Sequence, residues 1–85
     1  MAYKLEWNEK SIEEMRDIDK PVAGRIFDKA AHLAKDPVAL GKPLKEPMSG
    51  MMSYRVGDYR IVYVVDAPEK TVKILTVGHR KNVYE

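Results

Sequence analysis

Tyr3, Leu5 and Trp7 alternate with Lys4 and Glu6 at the start of the chain, the period-two pattern of a strand with one buried face. Asn8 follows as a helix cap. Ile12, Met15 and Ile18 recur at three-residue spacing and predict a short first helix with a narrow apolar stripe. Glu9, Glu13 and Glu14 lie toward its N-terminal end, where the helix dipole favours them. Pro21 suits the first turn of a second helix, whose apolar face is Val22, Ala23, Ile26, Phe27, Ala30, Leu33 and Ala34, and Asp36-Pro37 ends it. The two helices form a hairpin.

From Pro37 to Gly50, three prolines and two glycines interrupt any period, which predicts a loop holding Leu40 and Leu44 against the core. Met51 to Val56, Tyr59 to Asp66 and Thr71 to Val77 are rich in β-branched and aromatic residues and read as strands. Gly57-Asp58 and Ala67-Pro68-Glu69-Lys70 separate them as hairpin turns. The predicted fold class is α+β with the order β-α-α-β-β-β. Residues 1–85 form one domain, a small mixed, largely antiparallel sheet with the helical hairpin on one face. The pattern leaves the pairing of the first strand open.

A two-residue turn at Gly57-Asp58 makes the numbers of facing residues sum to 115, so Arg55 stands opposite Arg60. Like charges directly opposed on one face of a sheet are destabilising. The same register pairs Tyr54 with Ile61 and Met52 with Tyr63, an apolar surface for the helices, so the arginines face away from them with Ser53 and Val62. Gly78, Arg80, Asn82 and Tyr84 share one parity if the last strand continues, which lets three arginines and a tyrosine converge. The same pattern also fits exposed strand residues with no common target. His79 has the other parity and is read as structural, His32 as a solvated helix residue, and Trp7, Tyr59 and Tyr63 as core residues.

Composition narrows the chemistry. Eighty-five residues with 45% apolar and 33% charged side chains suit a folded domain rather than a disordered chain. There is no cysteine, so disulfides, thiolate zinc sites and cysteine nucleophiles are excluded and a reducing cytoplasm is expected; two histidines are too few for a histidine-rich metal site. The longest apolar run, Ile61 to Val65, is too short to span a bilayer, so no membrane partner is expected. Net charge is only +2, but residues 1–36 carry seven basic and eight acidic side chains whereas residues 37–85 carry eight basic and five acidic. Three of the five arginines, Arg55, Arg60 and Arg80, lie in that second part within short apolar segments, a placement that suits an anion and phosphate first. Gly41-Lys42-Pro43 lacks the glycine spacing of a P-loop, and no GxGxxG, HExxH or GxSxG occurs.

The run YRVGDYRIVY from Tyr54 to Tyr63, with ILTVGHRKNVY from Ile74 to Tyr84 and DPxxxGxPL from Asp36 to Leu44, resembles the RelE family of bacterial and archaeal toxins over nearly the whole chain. The resemblance implies a fold like that of small microbial ribonucleases. It also implies cleavage of messenger RNA in the ribosomal A site, without a cofactor, and restraint by a co-encoded RelB-like antitoxin, with a toxin-antitoxin heterotetramer as an assembly. The related ParE branch shares the fold but poisons DNA gyrase without catalysis, which is the alternative function. By position, Arg55 resembles the second of two basic residues on the family's first hairpin strand, Arg60 its phosphate-binding arginine, Arg80 the arginine after the last strand, and Tyr84 the C-terminal catalytic tyrosine. Ser53 stands where the first of the two basic residues is found. The implied mechanism has the three arginines clamping phosphate oxygens and Tyr84 as base. Arg80 serves the leaving oxygen, with His79 as its alternative if the strand bends. Val62 and Val64, on the arginine side, are expected to be exposed apolar surface for the antitoxin, which would cover part of this sheet or the helical hairpin.

Overall fold

In the computed structural model, residues 2–45 and 49–79 are described. Strand β1 (Lys4–Trp7) leads into helix α1 (Glu9–Arg16), helix α2 (Lys20–Leu33), a single helical turn α3 (Pro37–Leu40) and the two-residue strand β2 (Lys42–Pro43). Strands β3 (Met52–Val56), β4 (Tyr59–Asp66) and β5 (Thr71–His79) follow. The order across the sheet is β1-β5-β4-β3-β2, with β1 parallel to β5 and every other neighbour antiparallel. The expected α+β class and helical hairpin are present. The segment read as a plain loop carries both α3 and β2, and Leu40 in it is exposed rather than held in the core.

Local chemistry accounts for the element ends. The Asn8 side chain accepts from the Ser11 N–H at 2.8 Å and starts α1. Pro21 occupies the first turn of α2, where its missing N–H has no intrahelical partner to lose. Gly57, with a φ of +60°, supplies the left-handed residue that a two-residue hairpin turn requires.

Ala23, Ile26, Ala30 and Leu33 of α2 and Met15 of α1 pack on Val56, Ile61, Tyr63, Val72, Ile74 and Val77 of the sheet. Burying each large aliphatic side chain contributes about 1.5 to 3 kcal/mol. A bulge keeps β5 in this core: Val62 pairs with Thr76 and Tyr63 with Ile74, so Leu75 is the extra residue. Even-numbered Val72 and Ile74 and odd-numbered Val77 therefore face the same side.

Two expected core positions lie elsewhere. Phe27 is 50% exposed on the flank of α2, its ring tilted against Trp7 at 5.1 Å. Ile12 is also exposed, whereas Ser11 is fully buried. The reason is that α1 covers the edge of β5 beyond the end of β1. Glu14 reaches that edge, its carboxylate accepting from the Val77 N–H at 2.7 Å and from the Thr76 hydroxyl at 2.7 and 2.9 Å. The polar face of α1 thus satisfies backbone groups that β1 leaves unpaired.

Candidate functional site on the arginine face

The β3–β4 hairpin has the register that its turn predicts: Ser53 pairs with Val62, Tyr54 with Ile61 and Arg55 with Arg60. Since Ile61 and Tyr63 lie in the core under α2, the two arginines project from the opposite face. Arg55 is exposed and bends toward the turn, its Nε donating to the Gly57 carbonyl at 3.1 Å. Arg60 is half-buried, and its other cross-strand neighbour is Gly78. That glycine places no side chain beside Arg60 on the β5 flank.

Along the other flank, β2 pairs Lys42 with Ser53, so Lys42 shares the arginine face. Leu40, Lys42, Ser53, Tyr54, Arg55 and Arg60 line a cleft of about 240 Å³. Three of these six side chains are cationic and none is acidic, so the cleft suits an anion.

Tyr63 anchors the segment that carries Lys42. It is fully buried, and its hydroxyl donates to the Pro37 carbonyl at 2.6 Å. Burial, with a smaller contribution from nearby Tyr54, pushes its phenol up to about 12 from the ordinary 10. Gly41 lies against this ring: a Cβ there would overlap the Tyr63 hydroxyl and Cζ. Glycine is needed at this position for close approach.

Of the expected site residues, Arg55 and Arg60 are together in the cleft, while Arg80 and Tyr84 lie outside the described residues. His79 pairs with Tyr59, and their rings meet edge-on at 5.6 Å on the helix side of the sheet, away from Arg60. Val62 overturns one expectation, since it is only 5% exposed. It sits on the central strand, paired with Ser53 on one side and Thr76 on the other. Val64, paired with Lys73, is half-buried. Lys42 carried no signal in the sequence, because a two-residue strand containing proline has no period to detect.

Comparison with known proteins places this site in context. Residues 5–84 match the family described as ParE toxin of type II toxin-antitoxin system, parDE. The toxin RelG of Mycobacterium tuberculosis is 29% identical over 85 residues, covering 99% of this chain and 98% of RelG. Among solved structures, the RelBE2 toxin-antitoxin complex of M. tuberculosis contains a chain with a TM-score of 0.90 and 28% identity, covering 96% of this chain and 95% of that one. A double arginine-to-alanine mutant of Escherichia coli RelE in the free state gives a TM-score of 0.78 at 25% identity, covering 95% of this chain and 86% of that one.

Proposed function

We propose that this chain, which belongs to the ParE toxin family of type II toxin-antitoxin systems and is a toxin of the RelE/ParE superfamily, acts by cutting messenger RNA on the ribosome. The observation that carries this reading is the opposed Arg55–Arg60 pair in a cleft whose described lining residues add a third cation and no carboxylate. Two opposed arginines offer a phosphodiester a pair of guanidinium groups for its non-bridging oxygens.

In this mechanism the RNA supplies its own nucleophile. Tyr84, as phenolate, takes the proton of a 2′-hydroxyl, whose oxygen attacks the adjacent phosphorus. The bond to the 5′-oxygen breaks, that oxygen takes a proton from water while Arg80 stabilises its developing charge, and a 2′,3′-cyclic phosphate remains. Arg55 and Arg60 hold the non-bridging oxygens, where charge grows in the transition state. An ordinary tyrosine phenol has a pKa of about 10, and Tyr84 is the base that this mechanism assigns. A weak acid-base set suits an enzyme whose substrate is oriented by the ribosome.

A RelB-like antitoxin is the partner this reading implies, and the RelBE2 toxin-antitoxin complex, which contains a similar chain, supports it. With Val62 buried, the exposed Ile12 and Phe27 on the helical hairpin are the better apolar surface for it. Co-expression with the neighbouring gene should yield a stable complex, and recovery of a free, non-toxic toxin would count against it.

The family match to ParE favours one second reading, a non-catalytic gyrase inhibitor that uses the same cationic face to bind protein. Primer extension on message from translating ribosomes treated with the purified toxin separates the two. Codon-phased stops support the nuclease, whereas cleaved DNA-gyrase complexes without such stops support the inhibitor.

A further inference from the structure

We propose that Lys42 holds a phosphate of the RNA beside the one clamped by Arg55 and Arg60. The proposal rests on the reading of this face as an RNA site and adds a residue to it. Lys42 and Ser53 are directly paired across β2 and β3, so their side chains leave the sheet on the same side about 5 Å apart. Ser53 is 9% exposed, and its short side chain leaves the surface above it to a longer neighbour. The Lys42 side chain is exposed and lines the same cleft as the arginines. Among the described residues it forms no ion pair, so its charge is available to a ligand.

The backbone beneath Lys42 is held at both ends. On one side Tyr63 bonds the Pro37 carbonyl and packs against Gly41; on the other, the Leu44 N–H donates to the Met51 carbonyl at 2.9 Å. A two-residue strand adds little to the sheet as a ladder. Its consequence is to fix the origin of a flexible four-carbon cation at the mouth of the cleft. An ammonium group is a compact charge that takes a phosphate from many directions, which suits a backbone phosphate flanking the reacting one.

Binding of an uncuttable 2′-O-methyl decauridylate, followed by fluorescence anisotropy from about 20 to 200 mM salt, tests the proposal. Each phosphate contact to a single strand contributes about −0.7 to the slope of log K against log salt. Lys42→Gln should reduce the slope by about that much and weaken binding about eightfold at roughly 50 mM salt. Lys42→Arg should keep the slope. Melting temperatures measured on each variant confirm that the folded protein is compared. If Arg60→Gln lowers the slope and Lys42→Gln does not, the role of Lys42 is overturned while the RNA reading stands. If the wild type shows no salt-dependent binding, or neither variant changes the slope, the RNA reading fails and this proposal with it.

Discussion

Arg55 and Arg60 face each other directly across the β3–β4 hairpin, on the side of the sheet away from α2. The arrangement is a local conflict, since a like-charged cross-strand pair costs some tenths of a kcal/mol and a neutral partner would cost less. Such conflicts are expected where a site is built for a ligand of the opposite charge.

Replacing Arg60 by Gln keeps a polar side chain at this half-buried position and should cost no more than about 1 kcal/mol of stability. Single-turnover cleavage should fall by roughly 10² or more, because the lost charge acts on the transition state. Thermal unfolding and cleavage measured on one preparation decide the matter. A destabilised variant whose folded fraction cuts at the normal rate would remove Arg60 from the site.

Tyr63 makes a second prediction through its pKa. The buried phenol titrates near about 12 when folded and near 10 when unfolded, so the unfolded chain loses this proton first. Its contribution is complete below about pH 10 and is lost as pH rises toward about 12, by about 2 to 3 kcal/mol in total. Tyr63→Phe should remove that component from the alkaline unfolding profile. At neutral pH it should cost about 1 to 3 kcal/mol, because the Pro37 carbonyl loses its donor. Equal alkaline profiles for the two proteins would contradict the assignment.

Gly41→Ala should destabilise by about 1 to 3 kcal/mol through overlap with the Tyr63 ring. The hydroxyl is the atom most closely overlapped, so the cost should be smaller in a Tyr63→Phe background. Additive losses in urea unfolding of the double variant would mean that Gly41 is needed for some other reason.

What the sequence revealed and what it hid differ by the range of the signal. The Arg55–Arg60 pairing was legible because a two-residue turn at Gly57-Asp58 sets the register of everything beside it. The cap at Asn8 and the start of α2 at Pro21 were legible for a similar local reason. Lys42 was not, since α3 and β2 are too short to show a period. Ile12 misled because α1 meets the sheet at an edge, where Ser11 and Glu14 serve better than an aliphatic stripe, and Phe27 because it lies on the flank of α2 against Trp7. The bulge at Leu75 left no trace in composition, yet it puts Ile74 and Val77 on one face.

Glu14 offers a test of that edge. Its carboxylate meets both the Val77 N–H and the Thr76 hydroxyl, so Glu14→Ala should cost about 1.5 to 3 kcal/mol. The variant should also aggregate more readily, since the edge of β5 loses its cover. An unchanged urea midpoint would show that solvent replaces the carboxylate without loss.

The identity of the base separates His79 from Tyr84. His79 lies opposite Tyr59 on the helix side, with its ring against the tyrosine ring, so it cannot serve the arginine face without a change of strand register. His79→Gln should thus lower the melting temperature slightly and leave cleavage by the folded protein unchanged. Tyr84→Phe removes one hydroxyl and should do the reverse, lowering cleavage by roughly 10² to 10⁴ with stability intact. The pH profile adds a readout that a structural role would not move: cleavage by wild type should rise with pH until the Tyr84 phenol is ionised, and the variant should lose that rise. Normal cleavage by Tyr84→Phe together with loss of activity in His79→Gln would transfer the base to His79 and require β5 to turn that side chain across the sheet.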